Sequence, residues 1–97
     1  MDSPVSTREV TVNLENGLHL GPSSQIARLA QTFASDVLIR KADRAVDAKS
    51  MMDLITLVAE QGTLLTLEAR GADAVQAVES LAKLFESNFK TDEQAAG

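Results

Sequence analysis

One residue in this sequence invites chemistry before any other. His19 is the sole histidine, set in the segment Asn16-Gly-Leu-His-Leu-Gly-Pro-Ser-Ser24 between an alternating stretch and an amphipathic one. Pro22 suits the first turn of a helix, where its missing N–H would have no partner in any case. That places His19 at a helix N-terminus, where free backbone N–H groups and the positive end of the helix dipole favour anions. Two readings stay open on position alone: an imidazole that takes a phosphoryl group held by those N–H groups, or a loop histidine that only caps the helix. Ser50 is the second notable residue. In Lys49-Ser-Met-Met-Asp-Leu54 it stands where a second helix begins, with Asp53 at the capping-box position. Met51, Met52 and Leu54 follow, and flexible methionine exposed on a short helix suits an adaptable partner surface, with core packing as the alternative.

Other chemistries find no support. There are no cysteines, and one histidine without a carboxylate cluster at ligand spacing gives no metal site, so we expect neither metal nor cofactor. No nucleophile-elbow motif accompanies the serines. Gly17 to Gly21 is neither a P-loop nor a dinucleotide fingerprint. Nine basic residues against 14 acidic ones give a net charge of −5, and Trp and Tyr are absent, which argues against a nucleic-acid grip. No apolar run approaches the roughly 20 residues of a membrane span. The first ten residues lack a basic and apolar leader pattern. A cytoplasmic protein without membrane insertion is expected.

The elements that must position His19 and Ser50 follow from periodicity. Residues 7–14 alternate, with Val10, Val12 and Leu14 facing one way, and read as a half-buried strand. Glu15-Asn16-Gly17 supplies a turn. From Gly21 to Phe33 the apolar period becomes helical, through Ile26, Leu29, Ala30 and Phe33. Residues 36–41 and 44–48 read as short strands whose link, Ala42-Asp43, lacks the usual glycine. Residues 50–58 read as a short helix, 63–69 as a strand with Leu65 and Leu67 inward, and 73–89 as the longest helix. Its stripe is Val75, Val78, Ala82, Phe85 and Phe89 with Leu81 beside it, and Asp73 with Gln76 resembles a capping box. With 44% hydrophobic and 24% charged residues in 97, we expect a single domain over 1–97, a core from about 7 to 89 and a flexible tail over 90–97. The order βαββαβα gives an α/β fold of the α+β type. It is an open-faced sandwich, a four-stranded, mainly antiparallel sheet with three helices on one face.

Three segments together carry a resemblance: Asn16 to Ser24, Asp47-Ala-Lys-Ser-Met-Met-Asp-Leu-Ile-Thr-Leu57, and Gln61 to Glu86. They resemble the histidine-containing phosphocarrier (HPr) family of the bacterial phosphotransferase system, from about Glu9 to Glu86. The resemblance implies that His19 accepts a phosphoryl group from enzyme I and passes it to the A domains of sugar-specific enzymes II. It implies a monomeric carrier rather than an enzyme, with Leu20, Gly21 and Ser23 around the phosphoryl group. It also implies regulatory phosphorylation at Ser50 by an HPr kinase/phosphorylase, and a docking surface from Lys49, Met51, Met52 and Leu54. One departure stands out: the family ordinarily carries arginine where this chain has Gly21. Arg28, further along the helix, is the first alternative cation to consider. An HPr-like regulator governed by Ser50 is therefore the second reading, and a small acylphosphatase-like enzyme the third.

Overall fold

The computed structural model describes residues 4–90 of the chain. The elements run β1 (Val5–Thr11), α1 (Leu20–Ala30), β2 (Asp36–Lys41), β3 (Arg44–Asp47), α2 (Met51–Ile55), β4 (Leu64–Arg70) and α3 (Ala74–Glu86). The sheet order is β1-β4-β2-β3, and every pair is antiparallel. The open-faced sandwich expected from alternation is therefore the fold.

Period-two patterning decides which face is covered. Val37 and Ile39 of β2, Val46 of β3, Leu65, Leu67 and Ala69 of β4, and Val10 of β1 are buried. Their alternates, among them Glu9, Arg40, Thr66 and Glu68, lie on the uncovered face. Ile26, Ala27 and Ala30 of α1, Leu54 of α2, and Ala77, Val78, Leu81, Ala82 and Phe85 of α3 close the core from the helical side. Burying each of the Val, Leu, Ile and Phe side chains among these contributes roughly 1.5–3 kcal/mol. Arg8 points to the same side and joins β1 to α3 through Glu79 (2.5 Å) and Glu86 (2.8 Å).

Three expectations change. The first strand occupies 5–11 rather than 7–14, because its partner β4 fixes the register from Val5 opposite Arg70 to Thr11 opposite Leu64. Val75 is 60% exposed instead of lining the core. At 100° per residue it sits about a quarter turn from the centre of the stripe formed by Ala74, Val78, Leu81 and Phe85. The Asp73 capping box does not form, since Asp73 makes no side-chain cap bond. Its carboxylate instead accepts from Ala34 N (2.8 Å), Ser35 N (2.9 Å) and Ser35 Oγ (2.5 Å), tying the entry of β2 to the start of α3. Beside it Gly71, at φ 146°, lies where any Cβ would strike Ser35. The expected flexible tail lies, apart from Lys90, outside the described residues.

The Ser35 hydroxyl and then the Ala34 N–H hold the Asp73 carboxyl below its ordinary value. A depressed folded-state pKa contributes stability above the unfolded value of about 3.9, and that contribution is lost as pH falls through the folded value. Asp73→Asn is thus expected to lower the thermal midpoint at pH 7. In thermal melts between pH 7 and 2, its deficit against wild type should shrink below about pH 4.

Candidate functional site

His19 is the N-cap residue of α1, with extended backbone at φ −80° and ψ −168°. Its ring makes no cap hydrogen bond and stays exposed, so the plain capping reading does not describe it. The ring leans over the first turn: a Cβ placed on Gly21 would lie 3.5 Å from His19 Cε1 and 3.9 Å from Nδ1. Leu20 and Gly21, the first two helical residues, are exposed and their N–H groups have no carbonyl partner within the helix. Pro22 has no N–H to offer. The helix start thus presents two backbone donors in the residues that directly follow one exposed imidazole.

Ser23 is placed differently from expectation. It is fully buried, its Oγ donates to Leu18 O (3.1 Å) and its N–H to His19 O (3.0 Å). Both of its donors are engaged, because the hydroxyl closes the loop that carries His19. Arg28 lies in the last turn of α1, about 13 Å along the helix axis from His19. That distance exceeds the reach of a guanidinium, so Arg28 does not stand in for the family's arginine.

The loop holding His19 is fixed from across the molecule. Gly17, at φ 67°, sits against the Ala59 carbonyl so closely that any Cβ would clash. Leu18 N–H donates to that same carbonyl (2.9 Å). The chain before His19 is therefore stitched to the chain leaving α2.

Ser50 caps α2 as read from the sequence, its Oγ accepting the Asp53 N–H at 3.2 Å. The reciprocal half of the capping box is replaced, since Ser50 N–H donates to Asp47 O (3.1 Å). Met52 is 67% exposed, while Met51 is half-buried against the core. Leu54 corrects the expected docking surface: it is fully buried, because two helical positions beyond Met52 the side chain turns inward. Lys49 is half-buried, its Nζ donating to Phe33 O (2.9 Å) and its carbonyl accepting from Gln31 Nε2 (2.9 Å). It fastens the end of α1 to the start of α2 rather than standing free.

Sequence reasoning missed what holds the other end of α2. Lys41 Nζ donates to Leu57 O (3.1 Å) and Val58 O (3.0 Å), and Arg44 donates to Thr56 O (2.7 Å) and Thr56 Oγ1 (2.8 Å). Two cations from the β2–β3 hairpin thus hold the carbonyls of Thr56, Leu57 and Val58, just past the last residue of the helix, near the negative end of its dipole. The basic types at 41 and 44 were visible in sequence, but their target was not. Among the described residues no group of three or more His, Cys, Asp or Glu could hold a metal ion. No helix among them is long and apolar enough to cross a membrane.

The family model described as "PTS HPr component phosphorylation site" matches residues 6–87. The phosphocarrier protein HPr of Haemophilus influenzae is 38% identical over 78 residues, covering 80% of this chain and 92% of the relative. The HPr-like protein Crh of Bacillus subtilis is 40% identical over 75 residues, covering 77% and 88%. Among solved structures, HPr from Thermoanaerobacter tengcongensis superposes with a TM-score of 0.83 at 31% identity, over 87% of this chain and 94% of that one. With an exposed imidazole at the head of α1, a capped α2 and this sheet order, the chain belongs to the HPr family, the phosphocarrier proteins of the phosphotransferase system.

Proposed function

We propose that His19 is the phosphoryl acceptor, charged by enzyme I and discharged to the A domains of sugar-specific enzymes II. The observation that carries this is the exposed ring at the head of α1, next to the two residues, Leu20 and Gly21, whose N–H groups have no carbonyl partner within the helix. The lone pair of a His19 ring nitrogen attacks phosphorus, the bond from phosphorus to the donor breaks, and the next acceptor repeats the exchange. The chain is a carrier in the cytoplasm: its part is to hold the group where water and partners both reach it, and the catalytic groups belong to the partners. Ser50 is the regulatory site, open to an HPr kinase/phosphorylase, and Met52 contributes to docking.

Incubation with enzyme I and phosphoenolpyruvate is expected to give one acid-labile phosphoryl group per chain, absent in His19→Ala by mass spectrometry. A full acid-labile label in that variant would reject the assignment.

Gly21 lies in helical backbone without positive φ, and a Cβ there meets only the His19 ring at ordinary contact distance. Gly21→Arg is accordingly expected to be tolerated. A charge-assisted hydrogen bond contributes roughly 1.5–3 kcal/mol, so the phosphorylated form should hydrolyse or transfer with a rate changed about tenfold or more. Following phosphohistidine decay against time measures this, and identical decay would mean that the guanidinium makes no contact.

Ser50→Asp should keep the thermal midpoint, because aspartate also caps, whereas Ser50→Ala should lose about 1 kcal/mol. Enzyme I-dependent labelling should instead slow in Ser50→Asp and persist in Ser50→Ala. Parallel changes in melting and labelling would reduce Ser50 to a cap.

A further inference from the structure

β3 is the shortest strand of the sheet, and the chain beyond it leaves a notch. Its ladder with β2 ends at Asp47 opposite Leu38. Ala48 N–H still donates to Val37 O (2.9 Å), after which the chain turns away toward α2. On the other side of β2, β4 continues as far as Arg70 opposite Asp36. Here lies an open cavity of about 390 Å³, lined by Asp36, Val37, Leu38, Asp47, Lys49 and Arg70.

Four of these six lining residues are charged, two of each sign. Asp36 and Arg70 face each other on neighbouring strands, a position where opposite charges stabilise a sheet by pairing. Among the described residues neither makes an ion pair. Glu68, the next residue of β4 on the uncovered face, is directed to Arg40 instead (3.6 Å). Asp47 Oδ1 accepts the Lys49 N–H (2.9 Å), and Lys49 Nζ is held at Phe33 O (2.9 Å). Leu38 is half-buried, with Asp36 two residues before it on β2 and Asp47 across from it on β3. It puts an aliphatic surface among the charges.

We propose that this notch binds a free α-amino acid with an uncharged side chain. The Arg70 guanidinium takes the carboxylate, whose two oxygens its fork matches. Asp36 and Asp47 take the ammonium, and the side chain lies along Leu38. A purely anionic ligand would bring its charge toward both aspartates, and a purely cationic one toward Arg70 and Lys49. A zwitterion meets both signs with complements. Small-ligand cavities begin at about 300 Å³, so this one is of the size that suits so small a molecule. The notch stands apart from His19. α1 has 11 residues and is about 16 Å long, and Lys49 meets the chain just past its far end, through Phe33 O and Gln31 Nε2. The binding proposed here therefore does not rest on phosphoryl transfer.

The test is a titration of the isotope-labelled full chain with glycine, L-leucine and L-glutamine, followed by amide NMR. At least one of them should shift the amides of Asp36, Val37, Asp47, Lys49 and Arg70 saturably, with a Kd of roughly 1–10 mM for a ligand of so few atoms. The N-acetyl and the amide derivatives of that amino acid keep one charge each and should bind at least about tenfold more weakly. Arg70→Gln and Asp36→Asn alter exposed side chains, so both should fold as wild type does, and each should weaken binding about tenfold. Unchanged affinity in both variants overturns the proposal, as does equal binding of the derivatives. It also fails if none of the three amino acids gives a saturable shift, or if the shifts gather around His19 instead. Saturation by sodium phosphate alone would assign the notch to anions and likewise reject it.

Discussion

The insertion of β4 between β1 and β2 is the constraint on which the rest of this molecule depends. Two strands made early in the chain, β1 and β2, have no contact as neighbours until residues 64–70 pair with both. The same insertion sets the exit of β1 beside the entry of β4, with Val12 N–H donating to Thr63 O and Gly62 N–H to Val12 O. The loop after β1 and the loop before β4 are thereby laid side by side. Gly17 can then press against Ala59, Leu18 can bond it, and His19 emerges at a fixed point on the surface. A side chain at position 17 would separate these loops before it disturbed any strand.

The helical layer is held less by its own propensity than by what reaches it from the sheet. A helix of five residues cannot sustain itself in water, since nucleation alone outweighs so few hydrogen bonds. α2 persists because Leu54 is buried, Ser50 accepts at its start, and Lys41 and Arg44 donate at its end. The hairpin of β2 and β3 is thus mechanically continuous with the surface that carries Ser50 and Met52. Arg8 gives α3 a comparable tie to β1, although exposed pairs of this kind are worth only about 0–1 kcal/mol.

Much of this was legible in the sequence because it rests on local rules. Alternation found four strands, and helical spacing found three helices. Pro22 near Gly21 put His19 at a helix start, and Ser50 ahead of Asp53 announced a cap that the structure contains. What escaped depends on partners far along the chain. Asp73 has the signature of a capping box, yet three donors at Ala34 and Ser35 compete for its carboxylate. Ser23 looks like a free hydroxyl at a helix start, but the loop it closes turns it inward. Leu54 follows two methionines and reads as part of the same patch until the turn of the helix separates them. The left-handed corner at Val58 (φ 51°) had no signal at all, since valine is a residue that sequence rules place in strands or helices.

The weak electrostatic equipment around His19 suits a relay better than it would suit a binding site. A group that must be received and then given away cannot be held much more tightly by the carrier than by either partner. Every 1.4 kcal/mol of extra hold shifts the exchange equilibrium tenfold toward the loaded carrier. On the proposed reading, two backbone N–H groups and a dipole end, the latter worth about 0.3–1 kcal/mol, would place the phosphoryl group without trapping it. Contacts made to the bound group in both ground state and transition state would add hold without adding rate, whereas contacts realised only during transfer add rate. An open ring beside Gly21 leaves room for the second kind to come from the partner. Exposed charges more than about one Debye length, about 8 Å, from a site are largely screened. On that reading local donors at the head of α1 would decide how the phosphoryl group is held, and the net negative charge of the chain would matter chiefly for how partners approach.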